Sequence, residues 1–308
     1  MAQPTGSTER PGVGRRVVSK DNVSRAVLTL LFSSLSFSMV GVTVRLAGDV
    51  PVYEKVLVRS LVTLLALGVL AARRRQRLFE RSPHLPRLIL RGVFGTTAMA
   101  LYFYAISSLT LADATILNKL SPFFVVIFAC LFLRERLPRF VIPTLVVAFI
   151  GAGFVIQPQL DFRAVPAIAG LVSAIASGAA YTTVRSLKGS EPPYKIVFYF
   201  ALVSTVSMLP PTLAHFVMPT RLEFLCLLGA GIFGTVGQLL LTLAFHQAPA
   251  SRISIYNYAH VVFAFLLAWA LWREIPDALS IAGTVLIIAA AVYSHRRTVR
   301  EGEVPGPV

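Results

Sequence analysis

The feature that most constrains this chain is a series of long apolar runs joined by short polar connections. Ten are discernible, at approximately Ala26–Leu46, Val56–Ala72, Leu88–Ile106, Asp113–Leu133, Phe140–Ile156, Val165–Val184, Ile196–Phe216, Leu222–Ala244, Ala250–Trp272 and Ala278–Tyr293. Each can cross about 30 Å of hydrocarbon as a helix with modest tilt, whereas a spanning strand needs only about 9–11 alternating residues. A soluble fold of this size would need far more polar surface. Of the 308 residues 56% are hydrophobic and only 14% charged, against about 25% charged in soluble domains. The expected fold class is therefore all-α integral membrane, with ten transmembrane helices.

The formal net charge is +15. A basic balance can signal nucleic acid, but most of these Lys and Arg lie between the apolar runs, as at a cytoplasmic membrane face. The largest cluster is Arg73, Arg74, Arg75 and Arg77, and the segment Arg73 to Arg91 counts as cytoplasmic. So do Arg134, Arg136, Arg139, Lys188, Arg252 and Arg296 to Arg300, whereas Arg163, Arg221 and Arg273 fall on the outer side. Both termini are expected in the cytoplasm of a plasma (inner) membrane protein that does not bind nucleic acid. Residues 1–24 read as a disordered basic tail and 296–308 as a second cytoplasmic tail. The first apolar run is too long for a cleaved signal peptide. Cys130 and Cys226 lie inside apolar runs and imply no disulfide framework.

The sequence also repeats. Thr43–Arg45, "TVR", recurs at Thr183–Arg185, 140 residues later; Phe94–Thr96, "FGT", recurs at Phe233–Thr235, 139 later. Asn118 recurs as Asn257, and Arg134–Glu135 as Arg273–Glu274, again 139 later. Residues 25–157 and 164–295 thus form two five-helix units. An odd helix number turns the second unit upside down, which is the architecture of secondary transporters with a solute site between the halves.

The segment "LADATILNKLSPFFVVIFACLFLRERL" resembles the fourth-helix signature of the drug/metabolite transporter superfamily, EamA type, with Pro122 and Glu135 at the matching positions. "APASRISIYNYAHVVFAFLLAWALWREIP" resembles its ninth-helix counterpart, with Glu274 matching. Val261 stands where Pro122 would align, and Lys119 where many members are apolar. The resemblance implies a ten-helix inner-membrane carrier of small organic solutes, often an exporter.

Candidate site residues come from polar groups inside the apolar runs. Asn118, Lys119 and Pro122 share one helix face, and Pro122 can free a backbone carbonyl near Asn118. Lys119 has two readings: it snorkels outward to pair with Asp113 or Glu54, or it faces a solute cavity, as intramembrane ionisable residues usually do. The repeated asparagine favours the cavity. Helix nine adds Tyr256, Asn257, Tyr258 and His260; Arg59 and Glu54 complete the proposed solute site, with Gln238 and Tyr181 as weaker candidates. Arg45, Lys55 and Asp113 have two readings: structural, with Glu54 paired to Arg59 or Lys55, or an outer vestibule, which Arg185 and Lys195 mirror on the inner side. With Arg45, Lys55, Arg59 and Lys119 set against Glu54 and Asp113, the balance favours an anionic or zwitterionic solute such as an amino acid derivative.

Other chemistries lack their residues. Gly229 to Gly234 fits G-x-G-x-x-G but has no preceding strand, and reads as a close helix contact. No phosphate-binding loop, metal-binding cluster or cofactor motif is present, and no catalytic residues are assigned. A membrane-embedded enzyme would need a convergent nucleophile, metal site or acid pair; a channel would show sustained conductance. The expected activity is alternating-access transport, export favoured, in a monomer or homodimer; no carboxylate sits mid-helix, so proton coupling is not visible in the sequence, and Glu54, Asp113 and His260 are the groups that could serve it if the carrier is not an exchanger.

The topology is testable with cysteine labels. Those placed between Arg73 and Arg87 should react only from the cytoplasm, and one at Asp161 only from outside; the reverse pattern overturns the orientation.

Overall fold

In a computed structural model, the described residues (20–75, 78–79, 82–133, 140–156, 164–187, 190–247 and 253–303) are helical apart from short connections. The helices are α1 (Lys20–Leu46), α2 (Val52–Arg73), α3 (Leu85–Ser108), α4 (Leu111–Asn118), α5 (Ser121–Leu133), α6 (Val141–Ile156), α7 (Ala164–Ser186), α8 (Pro193–Ala214) and α9 (Arg221–Gln247). A short 3-10 turn at Ser254–Tyr258 leads into α10 (Ala259–Trp272), and α11 (Ala278–Glu303) follows. Eight spans are long and apolar enough to cross a membrane, with α4 and α5 together forming one of them. The remaining two apolar segments, Ile142–Ile156 and Tyr256–Trp272, are shorter helices. This is a multi-pass membrane protein. Most of its large exposed side chains are apolar, as a lipid-facing surface requires.

The bundle packs α1 on α9, α3 on α7, α6 on α11 and α2 on α8, with α1 also meeting α10. Apolar clusters hold it, and two of them are the largest. One joins Leu117, Leu120 and Phe124 to Ala148, Ala174, Val261 and Ile287. The other joins Val42 and Val56 to Phe103, Ile106, Phe200 and Ala264.

The repeated "FGT" proves to be the visible part of a longer shared contact. Gly92 of α3 lies so near Val203 of α8 that a Cβ would stand 2.6 Å from it, and Gly231 of α9 lies likewise 2.5 Å from Val62 of α2. Four residues on, the Thr96 hydroxyl pairs with Ser204 at 2.6 Å and the Thr235 hydroxyl with Thr63 at 2.9 Å. Each copy thus uses a glycine for close approach and a buried hydroxyl pair to lock the contact. Neither a larger side chain nor an unpaired hydroxyl would be tolerated there.

The span containing "LNKLSP" is broken. α4 ends at Asn118 and α5 begins at Ser121. Pro122 has no N–H to give the Asn118 carbonyl, and the Phe123 N–H bonds to Leu120 instead of Lys119, at 3.0 Å. The Lys119 carbonyl is left without its helical donor. The Tyr258 hydroxyl supplies one at 3.1 Å, from the 3-10 turn 139 residues later. That spacing is the repeat interval, so the two irregular helix segments meet at matching positions.

Arg77, Arg134, Glu135, Arg136, Arg139, Asp161, Arg163, Lys188 and Arg252 lie outside the described residues, as does the first repeat's partner to Arg273–Glu274.

Replacing Gly92 or Gly231 by Val should overpack its helix contact and destabilise by about 1–3 kcal/mol. Gly153→Ala, where nothing stands within 4 Å, should be neutral. Thermal melts in detergent measure this; equal effects at all three would refute the contact.

Candidate functional site

A cavity of about 130 Å³ lies among the helices, and its lining is unusually basic for a membrane interior. Arg59 reaches it from α2, Arg91 from α3 and Lys119 from the α4–α5 break; each is at most 7% exposed. No Asp or Glu is among the described residues that line it. Polar neutral groups complete the wall: Asn118, Asn257, Gln238, Tyr102, Ser177 and Tyr181, with His260. Phe37, Met99 and Phe200 supply apolar faces.

The arginines are held by a ring rather than by counter-charges. The Arg59 and Arg91 guanidinium carbons stand 5.6 and 4.4 Å from the centroid of Phe200. Arg59 Nη1 contacts the Met99 sulfur at 2.7 Å. Arg59 Nε and Arg91 Nε and Nη1 are buried without a hydrogen-bond partner among the described residues, and so is His260 Nε2. Cation–π contact recovers part of the lost hydration, but an unpaired buried charge stays costly.

Of the residues expected at the solute site, Asn118, Lys119, Asn257, His260 and Arg59 come together on this cavity. Asn118 Nδ2 also donates to Ser173 at 3.1 Å. The Lys119 side chain lines the cavity, and no carboxylate among the described residues pairs with it. Tyr258 is buried but not in the lining, because its hydroxyl is committed to the Lys119 carbonyl. Tyr256 points elsewhere and is 43% exposed. Glu54 also lies apart; its Oε1 accepts from the Val217 N–H at 2.7 Å, tying α2 to the α8–α9 connection.

The vestibule residues have partners of their own. Arg45 pairs with Glu274 through both terminal guanidinium nitrogens and lies 4.6 Å over the Trp272 ring. The Lys55 ammonium donates to the Gly48 carbonyl at 2.8 Å and to Ser107 at 3.1 Å. Asp113 belongs to the start of α4: Thr110 donates to its carboxylate at 2.6 Å and caps its N–H at 3.1 Å. Arg185 is exposed in the last turn of α7, away from the lining. Lys195 is buried against Glu191 at 2.9 Å. The expected charge balance of four positive to two negative is therefore not assembled in one place.

Arg91 is the residue that sequence reasoning missed. At the cytoplasmic end of an apolar run it reads as a topology charge. Its signal was its position one turn before Gly95 of "FGT". A Cβ on Gly95 would stand 2.8 Å from the Phe200 ring and closer still to the Arg91 guanidinium.

A model of the EamA-like transporter family matches residues 24–157 and 165–294. The chain is 37% identical over 279 residues to the pseudopaline exporter CntI of Pseudomonas aeruginosa, covering 90% of this chain and 98% of that one. It is 28% identical over 216 residues to an S-adenosylmethionine uptake transporter of Rickettsia bellii, covering 68% and 73% of the two chains. A protein of known crystal structure shares the fold with a TM-score of 0.61 and 20% identity, over 89% of this chain and 99% of that one.

The Glu191–Lys195 pair generates a pH prediction. Burial pushes the Glu191 carboxyl up, but bonds from Ser82 and Lys195, with His84 nearby, outweigh this and hold it below the ordinary value. A depressed carboxylate stabilises above its unfolded pKa, about 4.3, and that contribution is lost as pH falls through the lower folded value. The melting-temperature gap between the native protein and Lys195→Met should be constant from neutral pH to about pH 5 and shrink below about pH 4. A gap that is unchanged in acid would refute the pairing.

Proposed function

Because the chain belongs to the EamA-like transporter family, we propose that it carries an anionic or zwitterionic small metabolite through this cavity by alternating access, with export the favoured direction. It is a membrane transporter and not an enzyme. The observation that carries the substrate reading is the lining itself: three buried cations and no carboxylate among the described residues. In a low-dielectric site such a set selects negative charge and rejects lipophilic cations. The basic groups are presented from separate helices, so a solute bearing an acid group can be held from several sides at once.

The ten helices are taken as two inverted five-helix repeats, supported by the family match in two blocks and by the paired contacts of Gly92 and Gly231. The concentration of basic residues in alternate connections supports an inner-membrane location with both termini inside. Export is supported by the exporter relative, which aligns over nearly its whole length. Pseudopaline is accordingly the first solute to test. Proton coupling would run through His260, an imidazole on the cavity wall; exchange needs no such group. The carrier is a monomer or homodimer.

Lys119 decides the matter most simply. In proteoliposomes, Lys119→Ala should reduce counterflow of the transported solute to background while leaving folded yield intact. Lys119→Arg should rescue only partly, since the two cations differ in shape and hydration. Normal transport by Lys119→Ala, or a quaternary ammonium compound as the best substrate, would overturn this reading and favour the snorkelling lysine.

A further inference from the structure

Lys119 accounts for only one of the charges in the cavity. Arg59 and Arg91 both lie against the Phe200 ring, so their guanidinium carbons can be no farther apart than the 5.6 and 4.4 Å that separate them from it, added together. Both side chains are buried, and among the described residues neither has a carboxylate partner. Three of their N–H-bearing nitrogens have no hydrogen-bond acceptor among the described residues. Two like charges this close repel, and one phenyl ring does not offset that.

The fold clears space for this arrangement. Gly95 and Gly234 are the glycines of the two "FGT" copies, and each borders one arginine. A Cβ on Gly95 would collide with Arg91 and the Phe200 ring. One on Gly234 would stand 2.8 Å from Arg59 Nε and 3.3 Å from its Nη2. The glycine at this repeat position in each unit therefore seats a guanidinium, both of them from the first unit. Arg59 and Arg91 are not themselves repeat partners: 139 residues on from each stand Phe198 and Ala230. The equivalent glycines serve an arginine pair peculiar to this cavity.

Resting on the reading that this cavity is the solute site, we propose that the solute carries two anionic groups, carboxylate or phosphate. One is held between the Arg59 and Arg91 guanidinium groups beside Phe200, and the other at Lys119. Guanidinium N–H pairs match the planar fork of a carboxylate or the oxygens of a phosphate, whereas an ammonium acts as a point charge. A zwitterion brings no net charge to three cations, and a monocarboxylate offsets one. A dianion offsets two and supplies acceptors for the bare Arg59 and Arg91 nitrogens. Asn118 and Asn257 line the same space and bond the uncharged polar parts. Gly95 and Gly234 act as positioning residues, through the arginines they make room for.

The test uses the purified full-length protein in nanodiscs at matched ionic strength. Glutarate serves as the dicarboxylate, 3-phosphonopropionate as the dianion with one phosphonate and one carboxylate, butyrate as the monoanion, betaine as the zwitterion and tetraethylammonium as the cation. Binding is read from the concentration dependence of the melting temperature. At least one dianion should bind about tenfold or more tightly than butyrate or betaine, and the better of the two identifies carboxylate or phosphate. Arg59→Gln and Arg91→Gln should each erase that preference, and Gly95→Ala and Gly234→Ala should reduce it. Gly68→Ala, whose site has nothing within 4 Å, should not. The dianion-to-butyrate ratio separates this role from mere packing, which would change stability without changing selectivity. Where a Gln variant fails to fold, Arg91→Lys keeps the charge but loses the fork, and should retain only part of the preference. Equal binding of butyrate and the dianions, or no response to either dianion, overturns the two-charge inference and leaves the anionic reading standing. Selection of tetraethylammonium overturns both.

Discussion

Three cations buried together without a counter-charge set the terms for the rest of this molecule. Arg59, Arg91 and Lys119 sit on one cavity in a bundle surrounded by lipid, and the described lining offers them no carboxylate. Desolvating a charge is among the largest unfavourable terms available to a protein. The surrounding structure reduces it by degrees: an aromatic face shared by both arginines, a methionine sulfur against Arg59, and a set of amide and hydroxyl groups around the lysine. What it leaves undone is the opportunity for a solute. A carrier must bind its cargo without holding it permanently. A site that is electrostatically unsatisfied when empty, yet partly solvated by its own walls, meets both demands.

The architecture serves that site in two ways. The close contacts at Gly92 and Gly231, each locked by a hydroxyl pair one turn later, bring α3 to α8 and α9 to α2. Between those contacts lie the glycines that seat the arginines. The broken span provides the third cation. Because Pro122 interrupts the helical ladder, Lys119 stands at a turn, and its carbonyl is taken up by Tyr258 from the opposite unit. That bond joins the two irregular segments where the halves meet. Bending there need not sever regular helix. Charged groups away from the cavity are paired instead: Arg45 with Glu274, Lys195 with Glu191, and Glu54 with a backbone N–H.

Much of this was legible in the sequence, for physical reasons. Apolar runs of spanning length declare a membrane bundle because lipid leaves few alternatives, and the family resemblance rested on the residues around Pro122 and Glu274. Asn118, Lys119, Asn257, His260 and Arg59 stood out because polar groups in hydrocarbon require a reason, and they do gather at one cavity. Arg91 did not stand out. A basic residue at the inner end of a span obeys the charge rule for topology, and only the packing of Phe200 and Gly95 turns it inward. The vestibule failed to assemble for a related reason. Arg45 and Glu274 are 229 residues apart, and Glu54 and Val217 are 163 apart. Pairings over such distances are fixed by tertiary structure, and charge counting along one chain does not reveal them. Tyr258 shows the reverse case: its position in the repeat was visible, but its role as donor to a freed carbonyl depended on where the helix broke.

The claim that the cavity cations lack a counter-charge is open to one direct measurement. Met99 lies against Arg59 and has nearly the length of a glutamate. Met99→Glu would place a permanent carboxylate where the solute's acid group is expected. The thermal stability of this variant, measured without any added solute, should exceed that of the native protein, because a missing counter-ion has been built in. A melting temperature unchanged or lowered would mean that the arginines are already satisfied, and would contradict the central role given to their unpaired charge.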